Sequence, residues 1–338
     1  MTTLITGGAG FVGLALAEQL RGQGKAVTLV DLPARGGEHR LAPPPGCRVV
    51  AGDLREAETL DRLFADGDIE HVVHAAAITP SPERERDDAA SILDVNVVAT
   101  AKLMQRCAQA PRMKRVVLVS SVAVYGFAAP AASGCYDEAA SVPAPAGLYG
   151  ISKLAAEQAA LRIGELHDLD VRIARLGPVF GRWEQASGAR QLTSPHHQVA
   201  CLARAGEAIV LPRPMAADWI YAPDAAQAIA RLLLHDAELQ HAVYHVGGGG
   251  VTDVEQWCLA LAQHLPGLRS RIAAPGEPAN VRYSLPVDRA ALDTTRLATE
   301  LKYRCGFDLS RAAADYMQWC AAMQAEAASS SEVPDAAA

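Results

Sequence analysis

The stretch Thr6-Gly7-Gly8-Ala9-Gly10-Phe11-Val12-Gly13 decides how this chain is read. It follows an apolar run over residues 2–6 and opens a helical pattern over 11–21. Gly7, Gly10 and Gly13 have the G-x-x-G-x-x-G spacing of a loop that joins a first strand to a first helix. Glycine permits a sharp turn and a close approach of backbone to a pyrophosphate. The helix start adds free N–H groups and the positive end of the dipole. The strand–loop–helix setting separates this loop from an ordinary glycine-rich turn.

Outward from it, short aliphatic runs alternate with helical stretches. Strands are predicted over 26–30, 48–51, 71–74, 115–119 and 171–174, and helices over 57–64, 90–109 and 149–167. Continuous apolar strands between helices argue for a parallel sheet covered on both faces. The expected class is therefore α/β, a Rossmann-type doubly wound parallel sheet. Residues 1–176 form its nucleotide-binding domain, and a strand over 242–246 returns to the sheet. Residues 177–325 form mainly a smaller C-terminal substrate-binding lobe, with helices over 198–205, 223–234, 254–263 and 310–324. Residues 326–338 read as a disordered tail. The Pro43-Pro44-Pro45-Gly46 run and most of 128–147 are loops.

Composition narrows the function. Against 38 Asp and Glu stand 31 Lys and Arg, a net charge of −7, which lends no overall electrostatic support to binding a nucleic acid or an anionic membrane. No apolar run approaches the roughly 20 residues of a membrane span. The 7 cysteines are odd in number and scattered, so a disulfide framework is not expected. With no basic, then apolar, leader at residues 1–6, the expectation is a cytoplasmic protein. Neither His71 with His74 nor His196 with His197 has a ligand grouping around it, and no metal is expected.

Three further sites carry chemistry. Asp31 ends the second strand about 20 residues past the glycines, where a carboxylate accepts from the ribose hydroxyls and repels a 2′-phosphate. NAD is the expected cofactor, with Arg35 keeping NADP as the competing reading. Asp53, in Gly52-Asp53-Leu54, either reaches an adenine edge or caps a helix starting near Glu56. Tyr149 and Lys153 are one helical turn apart on one face. A phenol of pKa about 10 is a poor base, and a neighbouring ammonium stabilises its phenolate. Ser120 and Ser121 end the fifth strand, at the sheet edge where such folds bind ligands.

With these motifs in this order, the chain resembles an extended short-chain dehydrogenase/reductase of the NAD-dependent epimerase/dehydratase group. Matching segments include His74-Ala75-Ala76-Ala77, Asn96-Val97, Ser120-Ser121-Val122-Ala123-Val124-Tyr125-Gly126, Arg175-Leu176-Gly177-Pro178-Val179-Phe180-Gly181 and Asp218-Trp219-Ile220-Tyr221-Ala222-Pro223-Asp224. The resemblance implies that Ser121, four positions before Tyr125, is the catalytic serine. Tyr149 is then the acid/base and Lys153 its electrostatic partner. It implies NAD contacts from Gly7, Gly10, Phe11, Val12, Gly13, Asp31, Asp53, Leu54, Ala75, Ala76, Ala77, Asn96, Ser120, Tyr149, Lys153 and Leu176. Thr79, Ser121, Val122, Gly177, Arg190, Ser194, His197, Arg213 and Arg282 are the substrate-side candidates.

The implied activity is hydride transfer at a secondary alcohol of a carbohydrate: a sugar, a sugar acid or a nucleotide sugar. Alternatives are a nucleotide-sugar 4-epimerase with tightly held NAD and a non-catalytic NAD-sensing regulator, against which the intact Tyr149 and Lys153 pair speaks. Members acting on nucleotide sugars often carry Arg where this chain has Ala217, and a glycine-rich turn where it has Leu211-Pro212-Arg213-Pro214. Val122 and Ala123 follow Ser121 where dehydratases carry an acidic pair, so dehydration is not expected. The resemblance also implies a homodimer packed through the helices around 90–109 and 149–167. Only Phe11 and Phe64 of the aromatic residues precede position 125, and all four tryptophans follow position 180, which points to the second half for the substrate.

Overall fold

Leu4 and Ile5 are neighbours in β1 (Thr2–Thr6), both fully buried, and they enter two different cores. Successive strand side chains point to opposite faces, so a strand covered on both sides must be apolar throughout. Val72 and Val73 of the fourth strand, and Val116 and Val117 of the fifth, divide in the same way. The structure is a computed structural model that describes residues 2–33, 40–187, 189 and 192–331, with side chains to 325.

After β1 come β2 (Ala26–Asp31), β3 (Arg48–Ala51), β4 (Ile69–His74), β5 (Arg115–Ser121) and β6 (Val171–Leu176). In the lobe lie β7 (Val179–Phe180), β8 (Ile209–Leu211), β9 (Ile220–Tyr221) and β11 (Ser270–Ile272), and between them in sequence comes β10 (Val243–Val246). Seven strands make one sheet in the order β10-β6-β5-β4-β1-β2-β3, every pair parallel. The expected return of β10 to the sheet edge is observed. Strand order reverses between β1 and β4, and all carboxyl ends lie on one edge. Thr6, Asp31, His74, Ser121 and Leu176 therefore border the crevice that doubly wound sheets use for ligands.

The helices are α1 (Phe11–Gly22), α2 (Ala57–Phe64), α3 (Pro82–Asp87), α4 (Ala89–Leu93), α5 (Ala99–Ala108), α6 (Leu148–Leu166), α7 (Pro195–Arg204), α8 (Ala222–Leu234), α9 (Val254–Ala262), α10 (Thr295–Glu300) and α11 (Leu309–Ser331). One sheet face is covered by α1 and α8, the other by α2, α5 and α6. The lobe has its own aromatic core, in which Trp257 meets Phe180 edge-on at 5.1 Å.

Two expectations are corrected and one unexpected helix, α3, is added. The helix expected over 90–109 is α4 and α5 joined by a π-turn, Asp94–Val98, whose extra residue turns Asn96 into the core. The charged α3 had no apolar periodicity to reveal it, because it buries nothing. Ser81 caps it and Pro82 starts it. Helix α11 runs past Glu326 to Ser331, where Ala-rich sequence favours helix over the expected disorder. Residues 332–338 lie outside the described residues, as do Arg35 and Arg190. Among the described residues no helix is long and apolar enough to cross a membrane, and no group of three or more His, Cys, Asp or Glu is placed to hold a metal.

Candidate active site

The glycine loop is held against the end of β4. Gly7 has φ +65°, and a Cβ there would lie 2.7 Å from the Ala76 nitrogen. Only glycine permits that approach to the backbone of Ala75 and Ala76. Helix α1 begins at Phe11, and its N-cap, Gly10, gives no side-chain cap, so no cap side chain claims the first-turn N–H groups. A close-packed glycine turn leading into an uncapped helix start fits the pyrophosphate of a dinucleotide.

Asp31 lies beside this loop. Ala9 N donates to its Oδ2 (3.0 Å) and Leu32 N to its Oδ1 (2.8 Å), with the Arg40 guanidinium 3.7 Å from Oδ1. Asp53 neither caps a helix nor stands open. Arg55 donates to it from its backbone N (2.9 Å) and from Nη2 (2.6 Å), and this guanidinium holds the carboxyl below its usual range. The N-cap of α2 is Glu56. Leu54 beside it is buried.

His74 bolts three elements together. Its Nδ1 is 2.6 Å from the Thr6 hydroxyl and its Nε2 2.8 Å from the Thr100 hydroxyl. Burial pushes its pKa down to about 3, so it is neutral. Asn96 does comparable work beneath the site. It accepts from Ile78 N (2.7 Å) and donates to Ile78 O and to Ser152 Oγ, each at 3.0 Å. The Ser152 hydroxyl then donates to Tyr149 O (2.9 Å), which ties the loop after β4 to the start of α6.

Of the two serines, only Ser121 is available to a ligand. It caps a 3-10 turn, Val122–Tyr125, accepting from Ala123 N at 3.1 Å, and it is half-buried at the strand end. Ser120 is buried and its hydroxyl bonds Glu157, in the core behind the sheet edge. The reading of Ser120 as an NAD contact is corrected accordingly: strand alternation turns it inward where it turns Ser121 out. Gly150 rests on the Ala123 carbonyl with no room for a Cβ, so the first turn of α6 packs directly on the turn that Ser121 caps. That contact sets the turn carrying Tyr149 and Lys153 against the turn that Ser121 caps. The Lys153 ammonium donates to Val119 O (2.8 Å) and lies 5.9 Å from the Tyr149 ring centroid. Burial pulls its pKa down to about 8, opposed by Glu157 one turn further along.

Glu157 opens a buried polar chain that the sequence reading missed. Arg175 grips it with Nη2 at 2.6 Å and Nε at 3.0 Å, and its Nη1 donates to the Tyr125 hydroxyl at 2.8 Å. Tyr125 Oη is 2.7 Å from His245 Nε2, and Glu138 Oε1 accepts from His245 N at 2.9 Å. The i, i+4 spacing of Lys153 and Glu157 was the one sequence signal for it.

The substrate-side candidates scatter. Ser194 caps α7, and its hydroxyl donates to Glu184 (2.6 Å), so it is buried structure and not a ligand contact. Arg213 is spent on Asp288 and on the carbonyls of Leu285 and Val287. Arg282 is exposed, with its backbone N tied to Gln198. His197 lies near Cys201 Sγ (3.4 Å) and the Tyr316 hydroxyl (3.5 Å). Thr79 is exposed, with its N donating to Ala189 O at 3.0 Å. Phe11, Val122 and Leu176 are buried at the edge of the crevice, Val12 is partly buried, and Gly177 N donates to Val246 O at 2.9 Å. A cavity of about 740 Å³ elsewhere in the lobe, between the Gly248–Gly250 loop and α9, is lined by none of Ser121, Tyr149 and Lys153.

Comparison with known proteins agrees with this geometry. Residues 3–247 match the NAD dependent epimerase/dehydratase family. A dTDP-glucose 4,6-dehydratase of Streptomyces niveus is 30% identical over 90% of this chain and 88% of its own length. A D-erythronate dehydrogenase of Cupriavidus necator is 34% identical over 54% of this chain and 56% of its own length. Among solved structures, the UDP-glucose 4-epimerase of Thermus thermophilus in complex with NAD is 26% identical, covers 94% of this chain and 99% of its own, and superposes with a TM-score of 0.73.

Proposed function

The chain belongs to the NAD-dependent epimerase/dehydratase family, and from that premise we propose that Ser121, Tyr149 and Lys153 are its catalytic residues. The protein is an NAD-dependent oxidoreductase or epimerase that acts on a secondary alcohol of a carbohydrate. Bound NAD would supply the acceptor for the carbinol hydrogen and its electron pair. The glycine loop and the start of α1 would hold its pyrophosphate, and Asp31 would accept from its adenosine ribose. The Ser121 hydroxyl orients the substrate oxygen. Tyr149 removes the hydroxyl proton and returns it when the ketone is reduced. Lys153, fixed on Val119 O, supplies the positive charge that favours the phenolate.

The observation that carries this reading is the contact of Gly150 with Ala123, which sets the Tyr149 and Lys153 turn against the turn capped by Ser121. The homodimer belongs to the proposal too. Leu93, Val98, Ile151 and Leu166 are exposed apolar residues on the two helical stretches expected to pair. Seven free cysteines suit a reducing, cytoplasmic setting.

The test uses the full chain with NAD and a panel of sugars, sugar acids and nucleotide sugars. Growth of the NADH absorbance band marks a dehydrogenase. Inverted product stereochemistry without that band marks an epimerase. Tyr149→Phe is expected to cut turnover by roughly 10²–10⁴-fold while leaving NAD affinity unchanged, as loss of a general acid/base predicts. Full turnover in that variant overturns the assignment.

A further inference from the structure

Arg289 is a buried guanidinium with no counter-ion among the described residues. The residue is 9% exposed. Its Nη1 donates to Val122 O at 3.0 Å, and its Nε is buried with no hydrogen-bond partner. The ionisable groups facing it are Tyr283 and Tyr136, not acids, and burial draws its pKa down from the usual value. Asp288, next in sequence, gives one carboxylate oxygen to Arg213 and to Ala216 N. Arginine does not shed its charge in a protein, so this positive charge lacks the partner that buried charges ordinarily have. Its position is informative. The side chain reaches from the lobe to the carbonyl of Val122, the residue directly after Ser121, and so to the end of β5 where the reacting hydroxyl is placed.

We propose that Arg289 receives a single carboxylate of the substrate, so that the enzyme acts on a sugar acid without a nucleotide, its acid group at Arg289 and its secondary hydroxyl at Ser121 and Tyr149. This rests on the function proposed above. With Nη1 given to Val122 and Nε enclosed without a partner, Nη2 is the donor left for a ligand, and a guanidinium recognises a carboxylate better than any other side chain does. Charge arithmetic points the same way. Arg213 is already neutralised by Asp288 and Arg282 stands exposed at the surface, so among the described residues Arg289 is the buried guanidinium left to balance a single negative charge.

The experiment reads binding, not turnover, so that a wrong catalytic assignment does not obscure it. Full-length protein saturated with NAD is titrated calorimetrically with threonate, xylonate, gluconate and glucuronate, and separately with glucose and with UDP. At least one acid is expected to bind about tenfold or more tightly than glucose and UDP. Arg289→Met is expected to abolish that preference with NAD affinity unchanged. Arg289→Lys, which keeps the charge and loses the fork, is expected to retain part of it, and it serves as the test if the Met variant does not fold. Equal binding of acids and glucose, tighter binding of UDP than of every acid, or an acid preference that survives Arg289→Met overturns the proposal. A failed NAD titration or an active Tyr149→Phe variant would instead count against the function it rests on.

Discussion

Arg175 and Arg289 are both buried arginines bordering the same strand ends, and they are provided for in opposite ways. Arg175, 5% exposed, is held by two oxygens of Glu157 and by the Tyr125 hydroxyl, and the chain continues through His245 to Glu138. Arg289, 9% exposed, has one backbone carbonyl. The same contrast separates two histidines. His74 has a hydroxyl on each ring nitrogen, whereas His196 has no partner on either and is enclosed by Phe180, Trp219 and Trp257. Beneath the catalytic helix, polar groups close on one another. At Arg289 Nε and at both ring nitrogens of His196 they are left over. A satisfied buried network fixes geometry, and an unsatisfied charged group waits for a ligand.

The largest way to break this contrast is at Glu157. Glu157→Gln leaves Arg175 as an uncompensated buried charge and is expected to cost about 3–5 kcal/mol of stability in a denaturant titration. Adding Arg175→Met should recover part of that loss, since it removes the guanidinium that the first change leaves uncompensated. A loss no larger than that of a surface substitution would show that the network beneath Lys153 is not closed as described.

His74→Phe comes next. It leaves the Thr6 O–H without its acceptor and takes from Thr100 one of two partners, the other being Asn96 O, and a buried group left unpaired costs about 1–3 kcal/mol. The expected readout is a lower denaturation midpoint together with weaker NAD binding, because Thr6 also accepts from Ala76 N beside Gly7. Unchanged NAD affinity in a destabilised protein would separate the bolt from the cofactor loop.

What was legible in the sequence follows the same division. The sheet, its strand ends, the glycine loop and the Tyr149–Lys153 turn were readable because each rests on local spacing: two for strands, four along a helix, three between glycines. The split of 90–109 by a π-turn was not, because Asn96 is drawn inward by Ile78 and Ser152, which are distant in sequence. Spacing to Tyr125 singles out Ser121, but only strand alternation shows that Ser120, expected to touch NAD, belongs to the core. Arg213 and Arg282 were weighed as anion binders and Arg289 was passed over. Which arginine has an acid beside it is decided by folding, and Asp288 turns to Arg213 although Arg289 is its chain neighbour.

The smallest effect tests the open side of the contrast, at His196. Burial pushes its pKa from the usual 6.5 down to about 3, as it does for His74, and His245 is pushed to about 4. These groups bind a proton in the unfolded chain before they do in the fold. Stability is therefore full above about pH 6.5 and is lost on acidification through the window down to the folded values, by up to about 1.4 kcal/mol per pH unit for each group. His196→Phe removes one of the three without stranding any partner, because the ring has none, and keeps a flat side chain against Phe180 and Trp219. At pH 7 it is expected to change stability by no more than about 1 kcal/mol. Near pH 5 the variant should be the more stable protein, with a shallower acid limb in denaturant titrations. An acid limb as steep as the parent's would mean that a ligand or a water supplies His196 with the hydrogen bond that the chain does not, and His196 would then belong with the closed network, not with Arg289.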